Sequence, residues 1–289
     1  MLSEDRSLRD LAWCLHSPPV VIVPGQPVMW PHESWFAGLD RGAPPSPLPQ
    51  PRDAHHFRLG QHFEALLAAW LAASPAFTLR AANLQVQDGK RTVGEFDLLV
   101  EHDGEIEHWE AAVKFYLGTR DGRTLDCWYG PNTSDRFDIK YERLIAHQLQ
   151  LADNPYAAAI LAERYISVSR SRCFMKGRLF HPWERFIAGE LQCPEIVNPG
   201  HERGWWIPQA DFLPAFEDRG YRFVYLPKML WLSKLIPADF DAPLSCWELQ
   251  EFLESPHVEQ ATHVAVVNES GETSRGFIVK NQWLERASC

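Results

Sequence analysis

The stretch that decides the fold is VGEFDLLV at residues 93–100, followed by HWEAAVKFYLG at residues 108–118. Both segments are rich in Val, Leu, Phe, Tyr and Trp, and both read as strands meant for burial. HDGE lies between them at residues 102–105, and Asp-Gly between apolar runs signals a two-residue hairpin turn. In that register His102 faces Glu105, Asp97 faces Glu110, Glu95 faces Ala112 and Val93 faces Lys114. Side chains alternate along a strand, so Glu95, Asp97, Glu110 and Lys114 share one face. Phe96, Leu98, Val100, Trp109, Ala111, Val113 and Phe115 form the other face, which reads as core. Opposed Cβ atoms in such a pair lie about 4.5–5.5 Å apart. Two carboxylates that close repel one another unless one is protonated or a cation sits between them. A buried charge costs several kcal/mol unless it is paired or binds a metal. Two readings follow. In one, hard carboxylate oxygens hold a Mg²⁺-like ion beside a lysine. In the other, the charges neutralise one another as an internal cluster, with Lys114 pairing Glu95 or Glu110.

Outward from the hairpin, residues 57–71 place Phe57, Phe63, Leu66, Leu67, Trp70 and Leu71 at helical spacing, and Ser74-Pro75 ends the helix. Glu64 lies at the border of its apolar face. Residues 77–87 read as a strand closed by Asp88-Gly89. Downstream, Ser134 or Asp135 is placed to cap a helix running to about Leu151, with Phe137, Tyr141, Leu144, Ile145 and Leu149 inward. Residues 157–169 continue as a short helix and a strand. The order helix, strand, hairpin, helix, strand predicts an α/β fold with a mixed sheet flanked by helices. An N-terminal helix is expected at 6–16, and a Pro-rich exposed linker at 38–54. RGWWIPQADF (203–212) and GYRFVYLPKMLWLSKL (220–235) are aromatic, strand-like pieces. A helix is expected at 245–255, then a final hairpin turning at 269–272.

Composition narrows the function classes. With 45% hydrophobic and 23% charged residues, the 289-residue chain is an ordinary globular sequence with enough length for a large core. A net charge of −10 speaks against broad non-specific binding to nucleic acid, though not against a local basic groove. The six cysteines are dispersed and form no C-x-x-C pair, which suits a reducing, cytoplasmic setting and argues against a structural zinc site. No run approaches the roughly 20 apolar residues of a membrane span. Ser167 and Ser169 lack a nucleophile-elbow pattern, and GETSRG at 271–276 is too short for a phosphate-cradling loop. His55 and His56 read as a solvated pair before a helix. Arg120, Arg123, Arg136, Lys140 and Arg143 read either as a phosphate-binding rim or as ordinary surface charge among acids. Trp128, Tyr129, Trp205 and Trp206 offer base stacking, but such aromatics more often fill cores.

The helix–hairpin–helix pattern and its polar residues resemble the PD-(D/E)XK nuclease superfamily. GEFD supplies Asp97, HWEAAVK supplies Lys114, GQHFEALL supplies Glu64 on the first helix, and DIKYERLIAHQLQL supplies Lys140 and Gln148 on the second. More narrowly, LGQHFEALLAAWL, RTVGEFDLLV, HWEAAVKFYLG, GPN, HQL, KGRLF and RGWW together resemble bacterial proteins of domain-of-unknown-function family 1853, over roughly residues 6–206. The resemblance implies a restriction-endonuclease-like core (αβββαβ) at 56–180, an N-terminal helix and linker at 1–55, and a C-terminal α+β elaboration at 181–289. It implies Mg²⁺- or Mn²⁺-dependent hydrolysis of phosphodiester bonds in DNA or RNA. Asp97 with Glu110 or Glu95 would hold metal, and Lys114 would assist the attacking water. Glu64 would orient a metal-bound water, and Gln148 and Lys140 would contact substrate. The sequence departs from the usual Glu-x-Lys at Ala112, which stands where that pattern has an acid. Glu110, about 6.6–6.8 Å along the strand, or Glu95 across the ladder would replace it. The alternative is a catalytically degenerate member that keeps the fold to bind nucleic acid or protein. Oligomeric state stays open.

Overall fold

A computed structural model describes residues 5–22, 47–50, 58–217, 219–255 and 258–287. His55, His56 and most of the Pro-rich 38–54 segment lie outside the described residues. Helix α1 (Arg6–His16) is capped by the Asp5 side chain, which accepts from the Ser7 N–H at 2.8 Å. Helix α2 (Leu59–Ala73) buries Phe63, Leu66, Leu67, Trp70 and Leu71 on one stripe and stops at Ser74, the residue before a proline. Three strands follow: β1 (Thr78–Asp88), β2 (Arg91–His102) and β3 (Glu105–Gly118). β4 is a two-residue strand, Trp128–Tyr129. Helices α3 (Phe137–Arg143) and α4 (Pro155–Glu163) make the crossover to β5 (Val168–Pro182).

The remaining elements are α5 (Trp183–Ala188), β6 (Glu202–Pro208), α6 (Gln209–Phe216), β7 (Arg222–Tyr225), α7 (Cys246–Glu254), β8 (Ala261–Asn268), β9 (Gly271–Val279) and α8 (Asn281–Ala287). The strands form one mixed sheet in the order β1-β2-β3-β5-β6-β9-β8-β7, with β4 attached to β3. β3, β5, β6 and β9 run parallel to their neighbours in that order, and the flanking pairs are antiparallel. Helices cover both faces. α1 and α2 lie over Leu98, Val100, Trp109, Ala111 and Phe174. On the other side, Phe137 and Leu144 cover Ala112, Tyr116 and Met175, while Leu151, Ala157 and Leu161 cover Phe96 and Leu99. Among the described residues no helix is long and apolar enough to cross a membrane.

Several sequence expectations meet corrections. The hairpin turn is as read: Asp103 and Gly104 both take positive φ (52° and 80°), and His102 pairs with Glu105. That ladder runs only as far as Leu98↔Trp109, so the pairs Asp97–Glu110, Glu95–Ala112 and Val93–Lys114 do not form. Phe96 does not share a face with Leu98 either; it packs with Val86, Leu99 and Leu161 on the opposite side. Neither Ser134 nor Asp135 caps the second helix, because the Asp135 carboxylate is taken by strand residues. Segment 226–235 is not strand. Its backbone carbonyls at Trp231, Leu232 and Ser233 accept from the buried guanidinium groups of Arg178 and Arg275 at 2.7–3.0 Å. Those side chains supply what a ladder would otherwise give. α8 follows the final hairpin without having been expected.

Gly177 sets the spacing at the centre of the sheet. It pairs with Lys114 across β5 and β3 at φ 142°, and a Cβ there would sit 1.6 Å from the Lys114 carbonyl oxygen. Backbone must move to admit any side chain. Gly177→Ala is therefore expected to destabilise the protein by at least ~3 kcal/mol. Urea denaturation checks this, and an unchanged midpoint would contradict it.

Candidate functional site

The site grows out of a fork in the sheet. Beyond Leu98↔Trp109, β2 stays paired with β1 down to Arg91, and β3 stays paired with β5 up to Leu117. Between them, the Asp97 carboxylate accepts the Ala111 N–H at 2.8 Å. A side chain thus takes the place of a ladder partner, and polar groups gather where the strands part. Glu110 follows on β3 with 2% of its surface exposed. Its Oε1 accepts from the Gln148 amide and lies 3.8 Å from Lys140 Nζ. Lys140 also donates to Gln148 Oε1 at 2.7 Å, closing a Lys140–Gln148–Glu110 chain.

Gln148 reaches Glu110 because α3 does not end as an ordinary helix. Residues Leu144–Gln148 form a π-helical turn, closed by the Leu149 N–H on the Leu144 carbonyl at 3.0 Å. A widened turn of this kind shifts the residues after it relative to the regular helix, and such turns recur at functional sites.

The other Glu110 oxygen, Oε2, is buried, and among the described residues no N–H or O–H group reaches it. Nearby lies His108 Nε2 at 3.7 Å, an atom itself buried without a hydrogen bond, and Asp97 is close enough for the two carboxyl groups to feel each other's charge. Burial pushes the Glu110 carboxyl well up, and the charge of Asp97 pushes it further. Asp97 moves up as well, again through burial first, against the pull of the Ala111 N–H and Lys140. Glu64, projecting from α2, rises to about 8 through burial and through Asp97 and Glu95, so it belongs to the same electrostatic cluster. Lys140 is pushed down by burial while Glu110 pulls it back up. The cluster therefore carries more acid than its one close amine balances. This excess of buried negative charge, with an unpartnered carboxylate oxygen beside a second acid, is a donor set that fits a hard divalent cation.

Lys114 sits differently from expectation. Its amine donates to Asp135 Oδ2 at 2.6 Å, and the Tyr116 hydroxyl donates to Asp135 Oδ1 at 3.2 Å. It is near enough to Lys140 for the two amines to repel. The structure thus gathers Glu64, Glu95, Asp97, Glu110, Lys140 and Gln148, with Lys114 held at the margin by Asp135. From the sequence Asp135 reads only as a helix cap, and His108 carries no role. His108 had a signal, since it precedes Glu110 by two in the same strand and so faces the same way.

The proposed phosphate rim is already partly neutralised. Arg120 pairs with Asp126 at 2.6 Å, and Arg136 pairs with Asp138 through two hydrogen bonds. Trp128, Tyr129, Trp205 and Trp206 are all buried, which is the core-filling reading.

The sequence profile described as Domain of unknown function (DUF1853) matches residues 9–279, and the chain belongs to that family. Neither a search of curated proteins nor a search of solved structures gives a match.

The raised carboxyls fix a pH dependence. An acid with a raised native pKa binds more protons folded than unfolded above the ordinary carboxylate range, so its contribution to stability is lost as pH rises toward about 8. Buried histidines with lowered pKa act in the opposite sense only below about pH 6.5. The comparison is therefore made between pH 7 and 9, in chelator. There Glu110→Gln is expected to melt above the wild type by a few degrees, since each tenfold change in proton affinity is worth about 1.4 kcal/mol. At pH 5 that advantage should vanish. Parallel curves across this range would contradict the cluster's electrostatics.

Proposed function

We propose that this member of the family is a metal-dependent phosphodiesterase acting on nucleic acid, built as a PD-(D/E)XK-type nuclease. The observation that carries the reading is the buried, unpartnered Oε2 of Glu110 beside Asp97 in an acid-rich fork. The element order α2, β1, β2, β3, β4, α3, α4, β5 supports it, because apart from the two-residue β4 and the second crossover helix it is the order the superfamily resemblance implies. The placement of Asp97 on β2 just past the last β2–β3 pair, of Glu110 and Lys114 on β3, and of Glu64 on the preceding helix supports this reading.

Asp97 and Glu110 would hold Mg²⁺ or Mn²⁺, with Glu95 as the further acid within the same field. The bound ion would lower the pKa of a coordinated water and stabilise charge on the phosphoryl oxygens. Glu64, whose carboxyl is pushed up to about 8, would accept or donate a proton near neutral pH and so orient that water. Lys140 would turn from Glu110 to the scissile phosphate, and Gln148 would keep Glu110 oriented or donate to substrate. Lys114 would reach the attacking water on leaving Asp135. Hydrolysis breaks one P–O ester bond, joins the water oxygen to phosphorus, and leaves a phosphate monoester and a free hydroxyl.

A second reading has its own observation. Ala112 occupies the position of the usual acid, and Lys114 is committed to Asp135. Both observations favour a chain that keeps the fold and binds nucleic acid or protein without cutting.

Mn²⁺ is expected to raise the melting temperature of the native protein but not of Asp97→Ala. A mixed panel of DNA and RNA should be cut in Mn²⁺, with Lys114→Ala slower by about 100-fold or more. A thermal response to metal without cleavage would select the second reading. No response to metal would remove both the ion and the hydrolase.

A further inference from the structure

A second cluster lies away from the acidic fork and is made of softer donors. His181 is near the C-terminal end of β5, Cys193 lies in the connection after α5, and His201 immediately precedes β6. Cys193 Sγ is 3.9 Å from His181 Nε2 and 3.9 Å from His201 Nε2. The three atoms all lie within 4.8 Å of one another. With metal–sulfur near 2.3 Å and metal–nitrogen near 2.0–2.1 Å, a tetrahedral ion separates such S and N atoms by roughly 3.6 Å. Shifts of a few tenths of an ångström close the S–N gaps, and the imidazole nitrogens, within 4.8 Å of each other, would draw together to the roughly 3.4 Å of a tetrahedral site.

The surroundings orient the ligands. His201 Nδ1 lies 2.6 Å from the Asn198 carbonyl oxygen. That contact places the proton on Nδ1 and leaves the Nε2 lone pair facing Cys193, as the outer hydrogen bond of a metal-binding histidine does. His181 and His201 are both 2% exposed, whereas Cys193 is half-buried and gives an ion a way in. β5 and β6 pair in parallel from Arg178↔Glu202 to Pro182↔Trp206, which brings His201, at the entry to β6, beside the strand that carries His181.

We propose that His181, Cys193 and His201 bind one Zn²⁺ ion, with the fourth position left to water or an outside ligand. One thiolate and two imidazoles select a borderline-soft ion, unlike the carboxylates of the fork, which suit Mg²⁺ or Mn²⁺. On binding, Cys193 forms an S–metal bond and its thiol proton passes to solvent, with no change in oxidation state. The ion would pin the 193–201 connection to β5. That connection in turn holds the N-terminal segment: the Ile22 N–H donates to Ile196 O, Asn198 N–H to Val20 O, and the Asn198 amide to Pro19 O.

The test is a Co²⁺ titration of the full chain after removal of metals with chelator. One equivalent should give the near-ultraviolet thiolate-to-cobalt band together with the visible bands of tetrahedral cobalt, and one equivalent of Zn²⁺ should bleach both. Cys193→Ser should lose the thiolate band and bind about 100-fold more weakly or worse, and His201→Gln should also weaken binding. Cys173→Ser, which alters the thiol beside Glu110, should keep the band. Circular dichroism establishes that each variant is folded. Absence of the band in the folded wild-type chain overturns the assignment, as does its survival in Cys193→Ser. Where a variant fails to fold, the wild-type titration decides.

Discussion

The structure turns on one hydrogen bond, from the Ala111 N–H to the Asp97 carboxylate. A backbone donor in the middle of a sheet must find an acceptor, and a neighbouring strand usually provides it. Here a side chain does so, the β2–β3 ladder stops at Leu98↔Trp109, and the strands are free to diverge. Divergence admits polar side chains from both strands and from the helices on either face. Without it, Glu110 would be a charge buried in a closed sheet; with it, Glu110 meets Asp97, Lys140 and Gln148.

Electrostatics then shapes what the fork is able to do. Burial and mutual repulsion raise three carboxyl groups, and the amine of Lys140 offsets only part of that charge. Lys114, which would offset more, is drawn to Asp135 at the margin. A protein can settle such an excess with protons or with a cation, and the choice changes with pH and with the ions present. Glu110 keeps one oxygen free of donors among the described residues, and this favours the cation. Elsewhere the protein buries charge differently. Arg275 is matched by Glu272 at 2.5 Å and by the Trp231 and Ser233 carbonyls, so that network is satisfied and structural.

Local chemistry made part of this legible in the sequence. Asp103-Gly104 fixed the turn, and the turn fixed the register as far as the ladder continues. The charged positions on the two strands marked the candidate site, and the resemblance to the nuclease superfamily pointed to Glu64, Lys140 and Gln148. The fork itself was not legible, because strand periodicity carries no sign of where pairing ends; the face reversal between Phe96 and Leu98 follows from the same break. Asp135 looked like a helix cap because local rules put an acid there, but a long-range partner, Lys114, claims it. The strand-like run at 226–235 failed for a related reason: buried arginines satisfy its carbonyls, so no ladder is needed. His181, Cys193 and His201 are scattered between two strands and a loop, and only the parallel pairing of β5 and β6 brings them together.

The claim on which the functional account rests is that the fork between β2 and β3 is a seat for a divalent ion. The most direct measurement is anomalous diffraction from crystals of the chain soaked in Mn²⁺. The account predicts a peak within about 2.0–2.6 Å of carboxylate oxygens of both Asp97 and Glu110, the range for hard-cation ligands. Crystals that take up Mn²⁺ only at exposed acids, with Glu110 still bound to Gln148 and its second oxygen bare, would contradict it.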